Sequence, residues 1–296
     1  MAMEIVVASG KGGTGKTFIS SNLVFYLHKL GRRVVAVDAD AEAPDLLLAL
    51  GGPKENILVH KISSSRKAVI EHSRCIGCLK CVDVCRFYAL EVENHKPRVI
   101  REYCEGCGAC SIVCPVNAIE FYNMDTGVVR IDVSRVGVPV VTADLVVGGR
   151  NTGELVYKAK EEASRLAYEN KADVIVVDAA AGIGCPVISS IAGSDVLLVV
   201  VEPVPPSLQG AERLLKLARQ FNVKPFLIIN KYDLDPQYSN EIVDRLGIEV
   251  LGKIPYDRAV AESYANMEPI LYSKPDHPVS HALSSTFKNL LECVEG

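Results

Sequence analysis

The feature that most constrains the fold is a glycine-rich loop near the N-terminus, Gly10–Thr17, with the sequence GKGGTGKT. An apolar run before it, Glu4–Ala8, predicts a buried β-strand, and a helix-period pattern after it, Thr17–Leu30, ends at Gly31. The loop fits the phosphate-binding pattern G-x-x-x-x-G-K-[ST] in the strand–loop–helix setting that this pattern requires. The start of the chain therefore predicts a nucleotide site built on a βαβ unit.

The rest of the chain largely continues this alternation of strand and helix. Further predicted strands are Arg33–Asp38, Pro139–Ala143, Asp173–Asp178, Val196–Val201, Lys224–Ile229 and Glu249–Ile254. Predicted helices are Gly153–Glu169, with Asn151 or Thr152 as its cap, Ser207–Gln220, with Ser207 as its cap, and Val279–Val294. Several strands are apolar on both faces, which predicts an α/β fold: a mostly parallel sheet with helices on both faces.

The phosphate loop assigns chemistry to consecutive residues. Backbone N–H groups of a glycine-rich loop close around phosphate oxygens, and the positive end of the following helix adds to the attraction. Lys16 is predicted to reach the β- and γ-phosphates, and the Thr17 hydroxyl to bind Mg²⁺. The predicted nucleotide-binding residues here are Gly10, Lys11, Gly12, Gly13, Thr14, Gly15, Lys16, Thr17 and Phe18.

Eight of the ten cysteines fall in two windows with the spacing C-x2-C-x2-C-x3-C, which repeat at an offset of 29 residues. At this spacing three thiolates bind one [4Fe–4S] cluster and the fourth binds the neighbouring cluster. The first predicted ligand set is Cys75, Cys78, Cys81 and Cys114, and the second is Cys85, Cys104, Cys107 and Cys110. Zinc and a three-iron cluster at one site remain alternatives.

The two windows resemble a bacterial two-cluster ferredoxin over about 55 residues. The predicted organisation is a P-loop domain in two parts, 1–62 and 125–296, with a small α+β ferredoxin-like domain, 63–124, inserted between them. Before the insert, KISSSRK is interpreted as a linker. After it, Asp125–Gly127 is interpreted as a hairpin turn that returns the chain to the main sheet.

Charge and hydropathy limit the partners. The net charge of −4 and the absence of any long apolar run argue against nucleic acid and membrane as main partners. The N-terminal residues lead straight into a predicted strand, so we expect a cytoplasmic protein. The last predicted helix has an apolar stripe but few cations, so we expect it to dock on the protein's own core.

The loop sequence KGGTGKT resembles the deviant Walker A motif of the MinD/ParA/Mrp superfamily, which includes the nitrogenase iron protein. VVAVDADAEAPDL resembles its switch I region, DVIVVDAAAGIGCP its Walker B and switch II, and IPYDRAVAES its late loop. The resemblance implies ATP hydrolysis with Mg²⁺ in a homodimer that sandwiches two nucleotides, in which Lys11 reaches the partner's nucleotide. It covers nearly all of the chain outside the cysteine windows.

Further site residues follow from the resemblance by position. Asp40 is expected to orient the attacking water, and Asp38 and Asp178 to hold Mg²⁺; helix capping is the alternative for Asp38 and Asp40. The catalytic set is thus Lys11, Lys16, Asp38 and Asp40. The expected base-pocket residues are Asn230, Lys231, Pro255 and Asp257.

Two points stay open at the sequence level. NKYD, at 230–233, also fits the guanine-reading N-K-x-D signature, so ATP is favoured but GTP is an alternative. Cys185 lies seven residues after Asp178, as a cluster ligand does in the nitrogenase iron protein, but a buried structural thiol is the favoured interpretation.

The leading functional hypothesis is a dimeric ATPase that passes electrons, or an iron–sulfur or metal cofactor, to a partner protein. The cysteine windows lie between switch I and switch II in sequence, the two segments that respond to the γ-phosphate. One alternative is a ParA/MinD-like positioning or scaffold ATPase with structural or redox-sensing clusters. Another is an iron–sulfur cluster carrier.

Overall fold

The structure, a computed structural model, describes residues 2–295. Its strands are β1 (Met3–Ser9), β2 (Val34–Ala39), β3 (Pro53–Ile62), β4 (Ser65–Ile70), β5 (Leu90–Glu93), β6 (Lys96–Val99), β7 (Ile119–Met124), β8 (Gly127–Ser134), β9 (Pro139–Leu145), β10 (Val174–Ala181), β11 (Val196–Val201), β12 (Lys224–Asn230) and β13 (Val250–Ile254).

Its α-helices are α1 (Lys16–Lys29), α2 (Leu46–Ala49), α3 (Lys80–Val84), α4 (Ala109–Ile112), α5 (Thr152–Glu169), α6 (Cys185–Ile191), α7 (Pro205–Gln220), α8 (Pro236–Leu246), α9 (Arg258–Ala265), α10 (Ile270–Ser273) and α11 (Pro278–Glu295). Each helix predicted from periodicity is present, with ends shifted by one or two residues. Gly31 follows α1 in the left-handed conformation expected after a helix C-terminus.

The main sheet has nine strands in the order β13-β12-β11-β1-β10-β2-β9-β8-β3. Pairings from β13 through to β9 are parallel. The carboxyl ends of β1, β2, β10 and β11 therefore lie side by side at one edge, which is where parallel α/β sheets bind ligands. The predicted α/β class with a mostly parallel sheet is confirmed.

Both faces of β1 are buried, which explains its unbroken apolar sequence. Ile5 and Val7 pack in a hydrophobic cluster with residues of α1 and α11, and Val6 and Ala8, which alternate with them, are equally buried. The apolar stripe of α11 joins the same cluster, because Val279, Leu283, Phe287 and Leu290 are all fully buried in it. The last helix therefore docks on the protein's own core, as expected from its few cations.

The chain divides into two compact units. Within the described residues, the larger unit comprises 2–60, 129–144 and 153–295, and the smaller comprises Lys61–Val128 and Leu145–Thr152. The smaller unit contains two antiparallel pairs, β4-β7 and β5-β6, around a small core that includes Ala68, Ile70, Leu90 and Ile119. The domain boundaries read from the sequence did not include the second segment, Leu145–Thr152.

Three local interpretations were wrong. Asp125–Gly127 is not a hairpin turn, because β7 pairs with β4 whereas β8 joins the main sheet; the hairpin lies at the β8–β9 connection, where the Ser134 N–H donates to the Val138 carbonyl at 2.9 Å. KISSSRK is mostly strand rather than linker. Ser207 does not cap α7, because this helix starts earlier, at Pro205, and Ser207 Oγ instead accepts from the Glu202 N–H at 3.1 Å.

Candidate functional site

The glycine-rich loop connects β1 to α1, and the glycines are required by close approach. Gly13 and Gly15 have φ values of 79° and 93°, a region that other residues rarely adopt. A Cβ at Gly15 would lie 2.4 Å from Asn230 Nδ2, and one at Gly10 would lie 2.1 Å from the Cα of Gly210 in α7. The loop therefore contacts the α7 backbone at Gly10 and the Asn230 side chain at Gly15, with Lys16 buried at the start of α1.

The predicted magnesium residues Thr17 and Asp178 are in contact. Thr17 Oγ1 donates to Asp178 Oδ2 at 2.6 Å, and Ser20 Oγ donates to Asp178 Oδ1 at 2.8 Å. Asp178 lies within the buried part of β10 and is 1% exposed. Burial raises the pKa of Asp178 to about 6, despite the two hydroxyl donors and nearby Lys16, which lower it. A hydroxyl and a carboxylate in this arrangement suit a hydrated Mg²⁺ ion.

Asp38 lies next to Asp178, since the two residues are partners in the parallel register of β2 and β10. Its carboxylate accepts from the N–H of Leu46, the first residue of α2, at 2.8 Å and from that of Asp40 at 3.2 Å. Burial and the charge of Asp178 raise the pKa of Asp38 well above its ordinary value. These contacts are those of the helix-capping alternative, and the Mg²⁺ role of Asp38 stays a prediction.

Asp40 is half-buried at the start of the switch I segment. Burial raises its pKa, and the positive charge of Lys16 partly offsets the rise. Unlike Asp38, which is fully buried, Asp40 is partly exposed, so it is the one of the two switch I acids that a water molecule can reach. The proposed water-orienting role for Asp40 is a prediction that fits this geometry.

The buried acids make a pH prediction. Folding raises the pKa of Asp178 from 3.8 to about 6. The contribution of protonated Asp178 to the free energy of unfolding is therefore fully present below the unfolded-state pKa of 3.8 and is lost as the pH rises through about 6. In the absence of Mg²⁺ and nucleotide, the protein should become more stable as pH falls from 7 to about 5. In Asp178→Asn this gain should shrink by about 1 kcal/mol, since pH 5 lies only about one unit below the folded pKa. Urea denaturation of both proteins at the two pH values measures it, and equal pH dependence would contradict it.

Lys11, the signature lysine, belongs to a cluster of charges at the mouth of the loop. Its Nζ lies 2.6 Å from Glu202 Oε1, and Lys231 Nζ lies 2.9 Å from Glu202 Oε2. Burial alone would raise the pKa of Glu202, but the two ammonium groups outweigh it and lower that pKa. Because Lys231 also pairs with Glu202, this buried carboxylate keeps a positively charged partner when Lys11 moves away.

All four expected base-pocket residues line one cavity of about 350 Å³. The others that line it are Tyr256, Val260, Ala261, Tyr264 and Ala265. Asn230 connects this cavity to the phosphate loop, because its Nδ2 donates to the Thr14 carbonyl at 2.8 Å, and Lys231 Nζ donates to the Gly13 carbonyl at 2.9 Å. Asp257 caps α9 by accepting from the Ala259 N–H at 2.7 Å.

The fourth residue of NKYD, Asp233, does not line this cavity. Its Oδ1 instead accepts from the backbone N–H of Tyr256 at 2.6 Å. Asp233 therefore positions the loop that carries Pro255 and Tyr256, and the carboxylate that would read guanine in an N-K-x-D signature is engaged by the protein itself.

Three residues of the site were not predicted from the sequence, and one predicted residue has a smaller role than expected. Glu202 and Ser20 belong to no motif, and their contacts emerge only when β11, α1 and the loop come together. Tyr264, whose hydroxyl donates to Asp45, was also missed. The Phe18 side chain packs in the hydrophobic core, so any part of this residue in phosphate binding comes from its backbone.

The cysteines surround two cavities in the smaller unit. One cavity is lined by Cys85, Cys104, Cys107 and Cys110. The other cavity is lined by Cys75, Cys78, Cys81 and Cys114. Each cavity thus receives three thiols from one window and the last thiol of the other, which are the two sets predicted from the spacing.

Two of the eight thiols, those of Cys110 and Cys81, are weaker acids than an ordinary cysteine thiol. Burial raises the pKa of Cys110 to about 11 and also raises that of Cys81. Metal binding to such thiols releases protons. No three His, Cys, Asp or Glu side chains in the described part of the chain converge closely enough to hold one metal ion.

The two remaining cysteines lie apart from these cavities. Cys185 is exposed at the first residue of α6, so the expectation of a buried thiol was wrong. The sequence placed it beside Pro186 in an apolar context, but it begins α6 directly after a bend at 182–184, in which Gly182 has a φ of 95°. Cys293 donates to Glu249 Oε1 at 3.0 Å near the end of α11.

A parallel sheet, a glycine-rich loop on a helix N-terminus, and an adjacent hydroxyl–carboxylate pair together define a P-loop nucleotide-binding protein. The family description "CobQ/CobB/MinD/ParA nucleotide binding domain" matches residues 5–270, and the chain belongs to that family. With this site, the protein is a P-loop ATPase.

The chain is also similar to individual proteins. The uncharacterized protein MJ0578 of Methanocaldococcus jannaschii is 32% identical, over 99% of this chain and 98% of its own length. An iron-sulfur cluster carrier protein of Aquifex aeolicus is 24% identical, over 98% of this chain and 68% of its own. The solved septum site-determining protein MinD of Pyrococcus horikoshii, complexed with Mg-ADP, has a TM-score of 0.62 at 19% identity, covering 98% of this chain and 96% of that one.

Within residues 2–295 every helix is too short or too polar to cross a membrane.

Proposed function

We propose that this ATPase works as a homodimer that carries two [4Fe–4S] clusters per chain and couples its nucleotide state to the transfer of electrons to a partner protein. The observation that carries the proposal is the sorting of the eight thiols around two cavities in the crossed sets that ferredoxin spacing demands. The clusters, when bound, would supply one-electron chemistry; the protein supplies their ligands and surroundings.

The residues around the cavities fit such groups. The backbone N–H of Ala68 donates to Cys104 Sγ at 3.4 Å, and that of Ala118 donates to Cys114 Sγ at 3.3 Å. N–H donors to cluster sulfurs are one of the means by which proteins set reduction potentials. Apolar residues close both cavities, among them Leu90 and Val99 at one and Ile70 and Ile119 at the other.

Chain connectivity supports the coupling. The smaller unit is inserted between Asp40 and Asp178 in sequence: α2 and β3 connect Asp40 to its first segment, and α5 connects its second segment to β10, which carries Asp178. A change in either switch segment on ATP binding would therefore act on the chain that leads into the cysteine unit. The same connections would let a partner bound at the clusters influence hydrolysis.

Two alternatives have specific support. The Aquifex aeolicus relative is named as an iron-sulfur cluster carrier, which favours cluster delivery. The MinD structures favour a positioning or scaffold role with structural or redox-sensing clusters. A carrier should give its clusters to an apo-acceptor, whereas a scaffold should show the same ATPase rate and dimerisation with oxidised and reduced clusters.

The decisive experiment is anaerobic purification followed by metal analysis and spectroscopy. We expect about eight irons per chain and broad absorbance near about 400 nm. Electron paramagnetic resonance (EPR) after reduction should show two four-iron clusters. A colourless protein that contains zinc in place of iron would overturn the cluster part of the proposal while leaving the ATPase intact.

We expect ATP as the nucleotide and the sandwich dimer as the active state. Replacing Lys11 by alanine should weaken Mg-ATP-dependent dimerisation at least about tenfold, because one charge–phosphate contact is lost on each side of the interface. The monomer should keep its stability, since Lys231 still pairs with Glu202. Analytical ultracentrifugation with a non-hydrolysable ATP analogue measures the effect.

The matched control for this variant is Lys216→Ala, which removes an exposed lysine from α7. It should dimerise like the wild-type protein. If Lys11→Ala also dimerises and hydrolyses ATP like the wild type, the sandwich dimer is wrong.

A further inference from the structure

The smaller unit buries one lysine completely. Lys67, on β4, is 1% exposed, and its Nζ donates to the backbone carbonyl of Cys104 at 2.8 Å. The N–H of the next residue, Ala68, donates to the Sγ of the same cysteine at 3.4 Å. Strand β4 thus holds Cys104 at both its carbonyl and its sulfur.

In the protein without clusters, this buried ammonium group is hydrogen-bonded to a neutral group and not to a carboxylate. Its hydrogen-bond partner within residues 2–295 is a neutral carbonyl. Moving an ammonium group out of water costs several kcal/mol unless negative charge lies close by. A cluster held by four thiolates carries net negative charge, and Cys104 lines the cavity in which such a cluster would lie.

The internal repeat provides a counterpart for comparison. Lys67 lies eight residues before Cys75, and Lys96 lies eight residues before Cys104, so the two lysines are equivalent in the repeat. Both cross to the opposite window, because Lys96 Nζ donates to the carbonyl of His72 at 2.9 Å. That bond is exposed and lies three residues before the first ligand, whereas the bond of Lys67 is buried and made to a ligand itself.

The difference in burial makes the two cavities electrostatically unequal. A unit charge acts several times more strongly across the protein interior than through water and salt. Reduction by a one-electron donor adds one negative charge to a cluster and breaks no bond, so a nearby buried positive charge favours the reduced state. The exposed ammonium group of Lys96 is screened and should have little such effect.

We propose that Lys67 is a positioning residue that places a positive charge beside the cluster of Cys85, Cys104, Cys107 and Cys110, so that this cluster accepts an electron before the other. This inference rests on the proposed function, because it requires that both clusters are present. It defines an order of reduction within the unit: the cluster of the second window is the electron-accepting one.

The test is an anaerobic redox titration of the full-length protein, followed by EPR, in the wild type, Lys67→Met, Lys67→Gln and Lys96→Met. The wild type should reduce in two separate steps. Lys67→Met should lower the upper midpoint by at least ~59 mV, a tenfold change in the one-electron equilibrium, and leave the lower midpoint in place. Lys67→Gln keeps a donor but not the charge, so it should shift the same step in the same direction.

Lys96→Met is the matched control and should leave both midpoints unchanged. The inference is overturned if the wild-type clusters reduce at one potential, if the two methionine variants shift the midpoints equally, or if Lys67→Gln keeps the wild-type midpoints. If Lys67→Met fails to assemble its clusters, the wild type and Lys67→Gln decide the question. Wild-type protein without iron would defeat the proposed function itself, an outcome that iron analysis separates from the others.

Discussion

The Asp178→Asn variant should hydrolyse ATP about a thousand-fold more slowly than the wild-type protein, although its fold should be at least as stable at pH 7. The carboxylate binds the hydroxyls of Thr17 and Ser20 at the carboxyl end of β10 and is the expected anchor of the Mg²⁺ water shell. A metal ion contributes several kcal/mol of charge stabilisation to phosphoryl transfer, and about 4 kcal/mol corresponds to a thousand-fold in rate. Steady-state phosphate release with saturating Mg-ATP measures the loss.

Stability and activity should move in opposite directions in this variant, which separates a catalytic loss from unfolding. The substitution replaces a buried carboxyl group, whose pKa burial raises to about 6, with a neutral amide. The variant therefore avoids the free-energy cost of ionising this group at neutral pH. Asp244→Asn, at an exposed position of α8, is the matched control and should keep the wild-type rate. An Asp178→Asn protein that retains more than about a tenth of the wild-type rate would rule out the assigned role.

Two double variants should distinguish the crossed assignment of the cysteines from an uncrossed one. If Cys85 and Cys107 serve the same cluster, Cys85→Ala/Cys107→Ala removes two ligands from one site and leaves about one intact four-iron cluster per chain. Cys107→Ala/Cys114→Ala removes one ligand from each site and should leave no intact four-iron cluster. Spin quantitation of the reduced [4Fe–4S] EPR signal, together with iron analysis, measures both.

The uncrossed assignment predicts the reverse pattern, since Cys85 would then belong with the rest of its own window and Cys114 with Cys107. The reverse result would therefore refute the ligand sets given by the two cavities. Cys185→Ala/Cys293→Ala is the control, because these thiols line neither cavity. It should keep both clusters.

The sequence predicted the main sheet well because its strands are buried on both faces. Runs such as Val196–Val201 are continuously apolar and need no context to be recognised. Strand β3 was missed because it is almost entirely exposed and shows no alternation. Helices α6, α9 and α10 were missed because they are short, and tertiary packing decides where they form. Helix α8 was missed although it has local signals: Asp235 caps it, Pro236 begins it and Gly247 follows it in the left-handed conformation.

The site was predictable where a motif fixes spacing and not where separate elements meet. The loop residues and the eight thiols follow rules of spacing, so both groups could be named from the sequence. Glu202 could not, because a single acid after a strand has no signature until β11 brings it to Lys11 and Lys231. The exposure of Cys185 depends on the course of the backbone after Gly182, which composition does not encode.

The contact between Gly10 and Gly210 has a mechanical consequence. Neither position has room for a methyl group, because a Cβ on Gly210 would lie 2.5 Å from the Cα of Gly10. Helix α7 therefore packs directly against the phosphate loop at this point, with no side chain between the two backbones. A protein that docks on α7 and shifts this helix would therefore shift the phosphate-binding loop as well, because no side chain between them can adjust.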